Sequence, residues 1–261
     1  FHRWLPAAMV APTPVSALLH AVAVVKAGVF TVMKVAVYVF GLDLLSGTGV
    51  SVWLTYVAGA TILVASLVAL TKDNLKARLA YSTISQLGYI VLGAALAHPR
   101  SVIGGSLHIA MHAFGKITLF FCAGAIYVAS RKTEISTMRG IGRTMPVTTF
   151  AFLIGSLSVI GLPPFGGSWS KWYLALGAAD AGGAVFVAVL MLSSLLNIAY
   201  LMPIVVRGFF LPPDEGGAAA RVREAPLFCV VPLCLTAAGC LVLFFYAGDL
   251  VGLLAPLGGP Q

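Results

Sequence analysis

Charge is what this chain has least of. Only 9% of its 261 residues are charged, against roughly 25% in soluble domains. With 60% hydrophobic residues and a mean hydropathy of +1.01, this excludes an ordinary soluble fold and predicts an all-α polytopic membrane protein. The acidic residues are scarce and confined. Asp43, Asp73, Glu134, Asp180, Asp214, Glu215, Glu224 and Asp249 all fall in loops or at segment ends, so the apolar runs contain no carboxylate. The four cysteines, Cys122, Cys229, Cys234 and Cys240, lie in apolar runs without metal-type pairing, which predicts structural burial. No nucleophile, cofactor motif or redox centre is visible, so no cofactor is expected. A net charge of +8 would suggest nucleic acid in a soluble protein. Distributed over the loops of a membrane chain, it predicts none.

What is present is apolar helix. Seven spans are expected, at about 12–41, 50–71, 79–97, 101–130, 145–177, 183–211 and 226–247. Residues 1–11 read as the tail of a preceding broken helix, too short to span and without the features of a signal peptide. The chain therefore reads as one piece of a longer whole. Loop charges set an orientation. One side carries Arg3, Lys72, Lys76, Arg78, Arg131, Lys132, Arg139, Arg143, Arg221 and Arg223, the other only Arg100. The positive-inside rule makes the rich side cytoplasmic, with the N-terminal end inside and the C-terminus outside.

Five basic residues fall within spans: Lys26, Lys34, Lys116, Lys171 and Arg207. Arg207 and Lys34 lie toward span ends and can snorkel. Lys26 and Lys116 are mid-span, where a charge costs at least about 2.5–3.5 kcal/mol on insertion scales. In the fourth span His108, His112 and Lys116 recur at i, i+4, i+8. Each step advances only about 40° around a helix, so the three make one stripe. Histidine and a lysine held in low dielectric can both exchange protons near neutral pH. The stripe therefore reads as a proton relay, or else as an inert polar cluster between helices. A metal site is not expected, because the other histidines, His2, His20 and His98, bring no helpful ligands.

The fifth span is too long for one crossing. It is interrupted at Gly161-Leu162-Pro163-Pro164-Phe165-Gly166-Gly167. Broken helices free backbone groups in mid-membrane and are tolerated where protein or a wet cavity satisfies them. Lys171 follows the break. In the first span His20 and Lys26 are six apart and do not share a face. The run Tyr81-Ser82-Thr83-Ile84-Ser85-Gln86 reads equally as helix–helix glue or as a wetted lining.

Several of these runs carry a resemblance. They are Trp4–Met9, Ala11–His20, Leu79–Tyr89, His108-x3-His112-Ala113-Phe114-x-Lys116, and the Gly161–Phe165 break with Lys171. Together they resemble the antiporter-like membrane subunits of respiratory complex I, a family shared with Mrp-type sodium/proton antiporters and membrane-bound hydrogenases. The resemblance implies about fourteen helices in the complete subunit, built from two inverted repeats. This chain would be the C-terminal half with the second repeat. It makes Lys26 the bridging lysine, with His20 at a position some members use instead. Lys116 becomes the central lysine, and Lys171 the terminal ionisable residue on the broken helix. The family's paired buried Glu and Lys have no counterpart in this sequence, and a missing N-terminal half would supply them.

The resulting expectation is a proton-translocating subunit in a bacterial or archaeal cytoplasmic membrane. Its partners would be other membrane subunits, the lipid bilayer and protons, with Na+ the alternative ion in an Mrp-type exchanger. Any quinone-reducing or hydrogenase chemistry would belong to other subunits. A stand-alone solute transporter and a purely structural scaffold are the more remote readings.

Overall fold

The structure, a computed structural model, describes residues 4–212 and 222–258, and the side chains of these except residues 19–21. Arg3 and Arg221 of the charge-bearing side, with His2, Asp214 and Glu215, lie outside the described residues, as does the His20 side chain. Among the described residues the chain is helical with no extended strand.

Two short helices, α1 (Trp4–Ala8) and α2 (Thr13–Val15), lead into the first long segment. That segment is not a uniform α-helix. It passes through a π-helical stretch, Ser16–Ala23, into α3 (Val24–Lys34) and a second π-helical stretch, Val35–Phe40. At Gly41 it bends by 83° into α4 (Leu42–Thr48). The bend needs a residue at φ +80°, which a Cβ would oppose.

The remaining segments are α5 (Val52–Thr71), α6 (Leu75–Ala95) and α7 (Pro99–Ser130). They are followed by the short α8 (Ile141–Thr144), then α9 (Pro146–Ile160) and α10 (Gly167–Asp180). Last come α11 (Ala184–Phe209), α12 (Leu227–Phe245) and α13 (Ala247–Leu254). By length and apolarity alone four helices can cross a membrane, α5, α7, α11 and α12, or five if the bent pair ending in α4 is one span. Two of the seven expected spans fail that test for a physical reason. Helix α6 is long enough at 21 residues, but Lys76, Arg78 and its polar run dilute its apolarity. The other is two half-length helices, α9 and α10. The π-helical stretches, α4 and α13 are features the hydrophobic pattern did not give.

Helix α7 is the hub. It packs against α6, α9, α10 and α12. In its most apolar 18-residue window 61% of positions are buried, against 17% for α12 at the periphery. Cys122 and Cys240 are buried as expected, but Cys234 is exposed and Cys229 partly so, because α12 turns one face away from the bundle. The large side chains left uncovered on α5 and α11, such as Trp53, Tyr56, Met191 and Leu195, fit a lipid-facing surface rather than a soluble one.

Loops expected on one side are bonded together. Leu75 N donates to Thr133 O at 2.9 Å and Ile135 N to Asp73 O at 2.9 Å. The Asp73 carboxylate accepts from Ser136 N at 3.0 Å and from its hydroxyl at 2.6 Å. Nearby, Arg223 N donates to Thr144 O at 2.7 Å. Glu224 caps the start of α9, accepting from Val147 N at 2.7 Å and from the Thr148 hydroxyl at 2.6 Å. A carboxylate there meets the free N–H groups and positive end of the helix. At the opposite end Arg100 pairs with Asp180 at 2.9 Å.

One assignment changes. Arg78 was read as a loop charge, but α6 begins three residues earlier and Arg78 is 9% exposed. Its guanidinium donates to Lys72 O at 2.7 Å and to Tyr200 O at 3.0 Å. It thus satisfies backbone carbonyls just past the end of α5 and near Pro203 of α11, a use suited to a planar fork of donors.

Candidate functional site: a buried polar seam between α6, α7, α10 and α11

Lys116 is completely buried, and His108 and His112 are each 2% exposed. The stripe on α7 faces a second one. On α6 Ser82, Gln86 and Tyr89 recur at i, i+4, i+7, the spacing that puts side chains on one face. A third stripe, Ser193, Asn197 and Tyr200, has the same spacing on α11. All six are buried. The polar run on α6, read evenly as glue or lining, therefore meets the ionisable stripe directly.

The stripe on α7 is divided between two sets of partners. Lys116 Nζ donates to Ser82 Oγ at 2.7 Å and to Leu79 O at 3.2 Å. Ser82 Oγ also lies 2.8 Å from the Tyr200 hydroxyl, which in turn bonds Asn197 Oδ1. All these partners are neutral. Desolvating an ammonium costs several kcal/mol, and neutral hydrogen bonds offset only part of that.

His108 sits at the other end. Its Nδ1 is 2.9 Å from Ser170 Oγ and its Nε2 is 3.1 Å from Gln86 Oε1. Its ring lies between two others, Tyr89 at 5.4 Å and His112 at 5.5 Å, both stacked. Among the described residues neither ring nitrogen of His112 has a hydrogen-bond partner. Both are uncommitted and able to take or give a proton. Stacked imidazoles, with the nitrogens of one already engaged, do not converge on a common point as metal ligands do.

Lys171 is reached through α10. It follows Ser170, and its Nζ stands 4.9 Å from the centre of the Tyr89 ring, whose nearest stacked neighbour is His108. It is partly buried, donating to Ile160 O at 2.8 Å and to Ser194 Oγ at 3.2 Å. Ile160 ends α9, so the ammonium caps one of the carbonyls that the helix break frees and sits at the negative end of that helix. His108, not Lys116, is therefore the member of the stripe beside Lys171.

The predicted break lies between α9 and α10. Gly161 adopts φ +90°, and a Cβ on Gly167 would stand 1.9 Å from Ser158 O. Pro163 and Pro164 are joined by a cis peptide bond. Gly166 N donates across to Cys240 O at 3.0 Å, so α12 takes up a backbone donor that the interruption frees. A cavity of about 630 Å³ opens here toward the uncovered face of α11, its polar Ser168, Lys171 and Ser194 set among apolar walls that include Trp172, Met191 and Leu195.

Lys26 approaches the seam from α3, which packs against α6 and α7. It is 7% exposed on α3 and borders a second cavity of about 610 Å³, shared with Ser106, Ile109, Ala110 and Ala113 of α7. The structure thus brings His108, His112 and Lys171 together through α6 and α10. It gives Lys116 its own hydroxyl network, with Lys26 of α3 within electrostatic reach of both His112 and Lys116. Ser82, Gln86, Tyr89, Ser170, Asn197 and Tyr200 were not singled out as site residues from sequence. The i, i+4, i+7 recurrence on α6 and α11 was the available signal.

A multi-pass helical bundle with lysines and histidines buried at its hub, and no buried carboxylate among the described residues, has the make-up of an ion-handling membrane subunit. The comparisons with known proteins narrow that class. Residues 1–197 match the family described as NADH:quinone oxidoreductase/Mrp antiporter, TM. Subunit N of the NADH-quinone oxidoreductase of Desulforudis audaxviator is 36% identical over 261 residues, covering 96% of this chain and 52% of that protein. Subunit L from Rickettsia bellii is 36% identical over 239 residues, covering 91% of this chain and 36% of that one. Among solved structures, the Mrp complex from Dietzia matches with a TM-score of 0.85 at 23% identity, over 98% of this chain and 54% of the other. An archaeal membrane-bound sulfane sulfur reductase matches with a TM-score of 0.85 at 28% identity, over 98% and 51%. The chain belongs to the antiporter-like family of membrane subunits defined by that match. It spans about half the length, or less, of the curated relatives cited here.

Proposed function

We propose that this chain is the C-terminal, proton-translocating half of an antiporter-like subunit in a multisubunit ion-pumping membrane complex. The observation that carries the reading is Lys116. It is fully buried, and its hydrogen bonds go to neutral hydroxyl and carbonyl groups. A scaffold gains nothing from an ammonium at that cost, whereas a relay needs a group that can be both charged and neutral. Protons would pass between Lys116 and the imidazoles of His112 and His108, and then to Lys171 beside the cavity at the helix break. Lys26, with its own cavity, would feed the same relay, and His20 remains the alternative at that end. The buried carboxylate and extra lysine that balance these cations would come from other sequence in the assembled complex. The chain would lie in a bacterial or archaeal cytoplasmic membrane, with the basic loops inside.

The test is proton flux through the complete complex in sealed vesicles, read with an internal pH dye. Proton movement that persists without sodium supports the reading. Strict dependence on a sodium gradient would replace it with Mrp-type exchange, which the likeness to an Mrp complex keeps as the second reading.

A further inference from the structure

We propose that Arg78 is a positioning residue for Lys116. Its guanidinium holds the turn of α11 that carries Tyr200, and so keeps the Tyr200 hydroxyl on Ser82, the partner of the Lys116 ammonium. The inference rests on the relay just described and adds to it a residue that acts through another side chain.

The need for a clamp comes from Pro203. A proline inside a helix has no N–H to give to the carbonyl four residues back, and its ring pushes that carbonyl aside. Pro203 lies inside α11, so the carbonyl affected is that of Ala199, and the turn it loosens holds Tyr200. The place of the Tyr200 hydroxyl follows that backbone. A hydrogen bond between oxygens keeps its strength over only about half an ångström.

Arg78 meets this need by its geometry. Its Nη1 donates to Tyr200 O at 3.0 Å inside the bundle, its Nε to Lys72 O at 2.7 Å and its Nη2 to Leu70 O at 3.5 Å. Leu70 belongs to the last turn of α5, whose carbonyls have no helical partners. One planar fork thus ties the end of α5 and the proline turn of α11 to the start of α6. Ser82 follows Arg78 at i+4 on the same face of α6. Arg78 takes the backbone of Tyr200, while Ser82 Oγ lies 2.8 Å from its hydroxyl and 2.7 Å from Lys116 Nζ. A second tie joins the same three helices two turns earlier on α11. There Ser193 Oγ lies 3.4 Å from Ser66 Oγ of α5, itself 2.8 Å from Ser85 Oγ of α6. The Arg78 tie is the one at the turn that Pro203 weakens.

The experiment is a double-mutant cycle in the complete complex, with Arg78→Lys, Tyr200→Phe and the two together. Proton flux per assembled complex and the thermal midpoint are both measured, and Lys116→Ala is the reference. Lysine keeps the charge but offers a point donor in place of the fork. Arg78→Lys is expected to lower flux about three- to tenfold, the kinetic equivalent of one weakened hydrogen bond. In the Tyr200→Phe background the same change should lower flux no further, because the hydroxyl it positions is gone. The midpoint should still fall there, because the carbonyls lose their donors in either background. Multiplying losses of flux in the double variant, or wild-type flux in Arg78→Lys, would overturn the role of Arg78 and leave the relay standing. If Arg78→Lys does not assemble, the cycle is run with Pro203→Ala added, which returns an N–H to the loosened turn. Assembly and flux restored in that background support the clamp, and no restoration overturns it. Normal flux in Lys116→Ala would instead remove the relay, and this inference with it.

Discussion

Ser170 binds the ring of His108 at 2.9 Å, and the next residue along the chain is Lys171. One turn of α10 therefore presents a hydrogen bond to the His108–His112–Lys116 stripe on α7 and a cation to the cavity at the helix break. Any motion of α10 that moves Lys171 also alters the partner of His108.

The most direct prediction concerns Lys116. Replacement by alanine in the complete complex should abolish most proton flux while leaving assembly intact. Lys116→Arg should fail as well, since a guanidinium keeps its charge throughout the working range. Normal pumping by the arginine variant in vesicles would exclude a protonation cycle at this position.

Tyr200→Phe tests the hydroxyl network around that lysine. The substitution keeps the ring and removes the group that bridges Ser82 and Asn197. Leaving buried polar partners unmatched costs about 1–3 kcal/mol. A lower thermal midpoint of the purified complex, with flux reduced but not lost, is expected. Unchanged flux and unchanged melting would mean the network does not hold Lys116.

The helix break should tolerate nothing larger than glycine at its second half. In Gly167→Ala the new Cβ would meet Ser158 O at 1.9 Å, and overpacking of this kind costs about 1–3 kcal/mol or more. Gly28→Ala is the matched control. No atom lies within 4 Å of the added Cβ, and on propensity alone the change favours α3 by up to about 1 kcal/mol. Expression and assembly yields should separate the two variants. Equal yields would argue that the segment from Gly161 to Gly167 repacks freely.

Arg100→Ala should do little. The pair with Asp180 is a single exposed bond, its side chains 55% and 34% accessible, and such pairs contribute about 0–1 kcal/mol. A loss of stability beyond that, measured by melting at low and high salt, would show that the junction of α7 and α10 depends on it.

The amino-acid pattern reveals the membrane character, the hub stripe and the interruption before Lys171, because each is a break in an otherwise uniform apolar background. It is weaker wherever polar side chains are expected to be ordinary. Ser82, Gln86, Asn197 and Tyr200 cost little to place in a helix, so no single one of them stands out. Only their periodic alignment against α7 gives them meaning, and that alignment depends on how two helices meet. The π-helical stretches around α3 were illegible for a related reason. A shift in backbone register leaves composition untouched. Arg78 was misplaced because a charge near a loop normally marks a helix end, whereas here the carbonyls of Lys72, Tyr200 and Leu70 receive it inside the bundle.

Helix α7 runs unbroken for 32 residues, about 48 Å at 1.5 Å per residue. Even tilted by about 20°, it is longer than the roughly 30 Å apolar slab it crosses. It therefore acts as a strut that reaches both aqueous faces, tied at one end to the Arg100–Asp180 side and at the other to the basic loops. Its neighbour across His108 is jointed at mid-depth by the Gly161–Gly167 break. A stiff rod beside a jointed one confines the compliance of this helix pair to the segment from Gly161 to Gly167, one turn from Lys171.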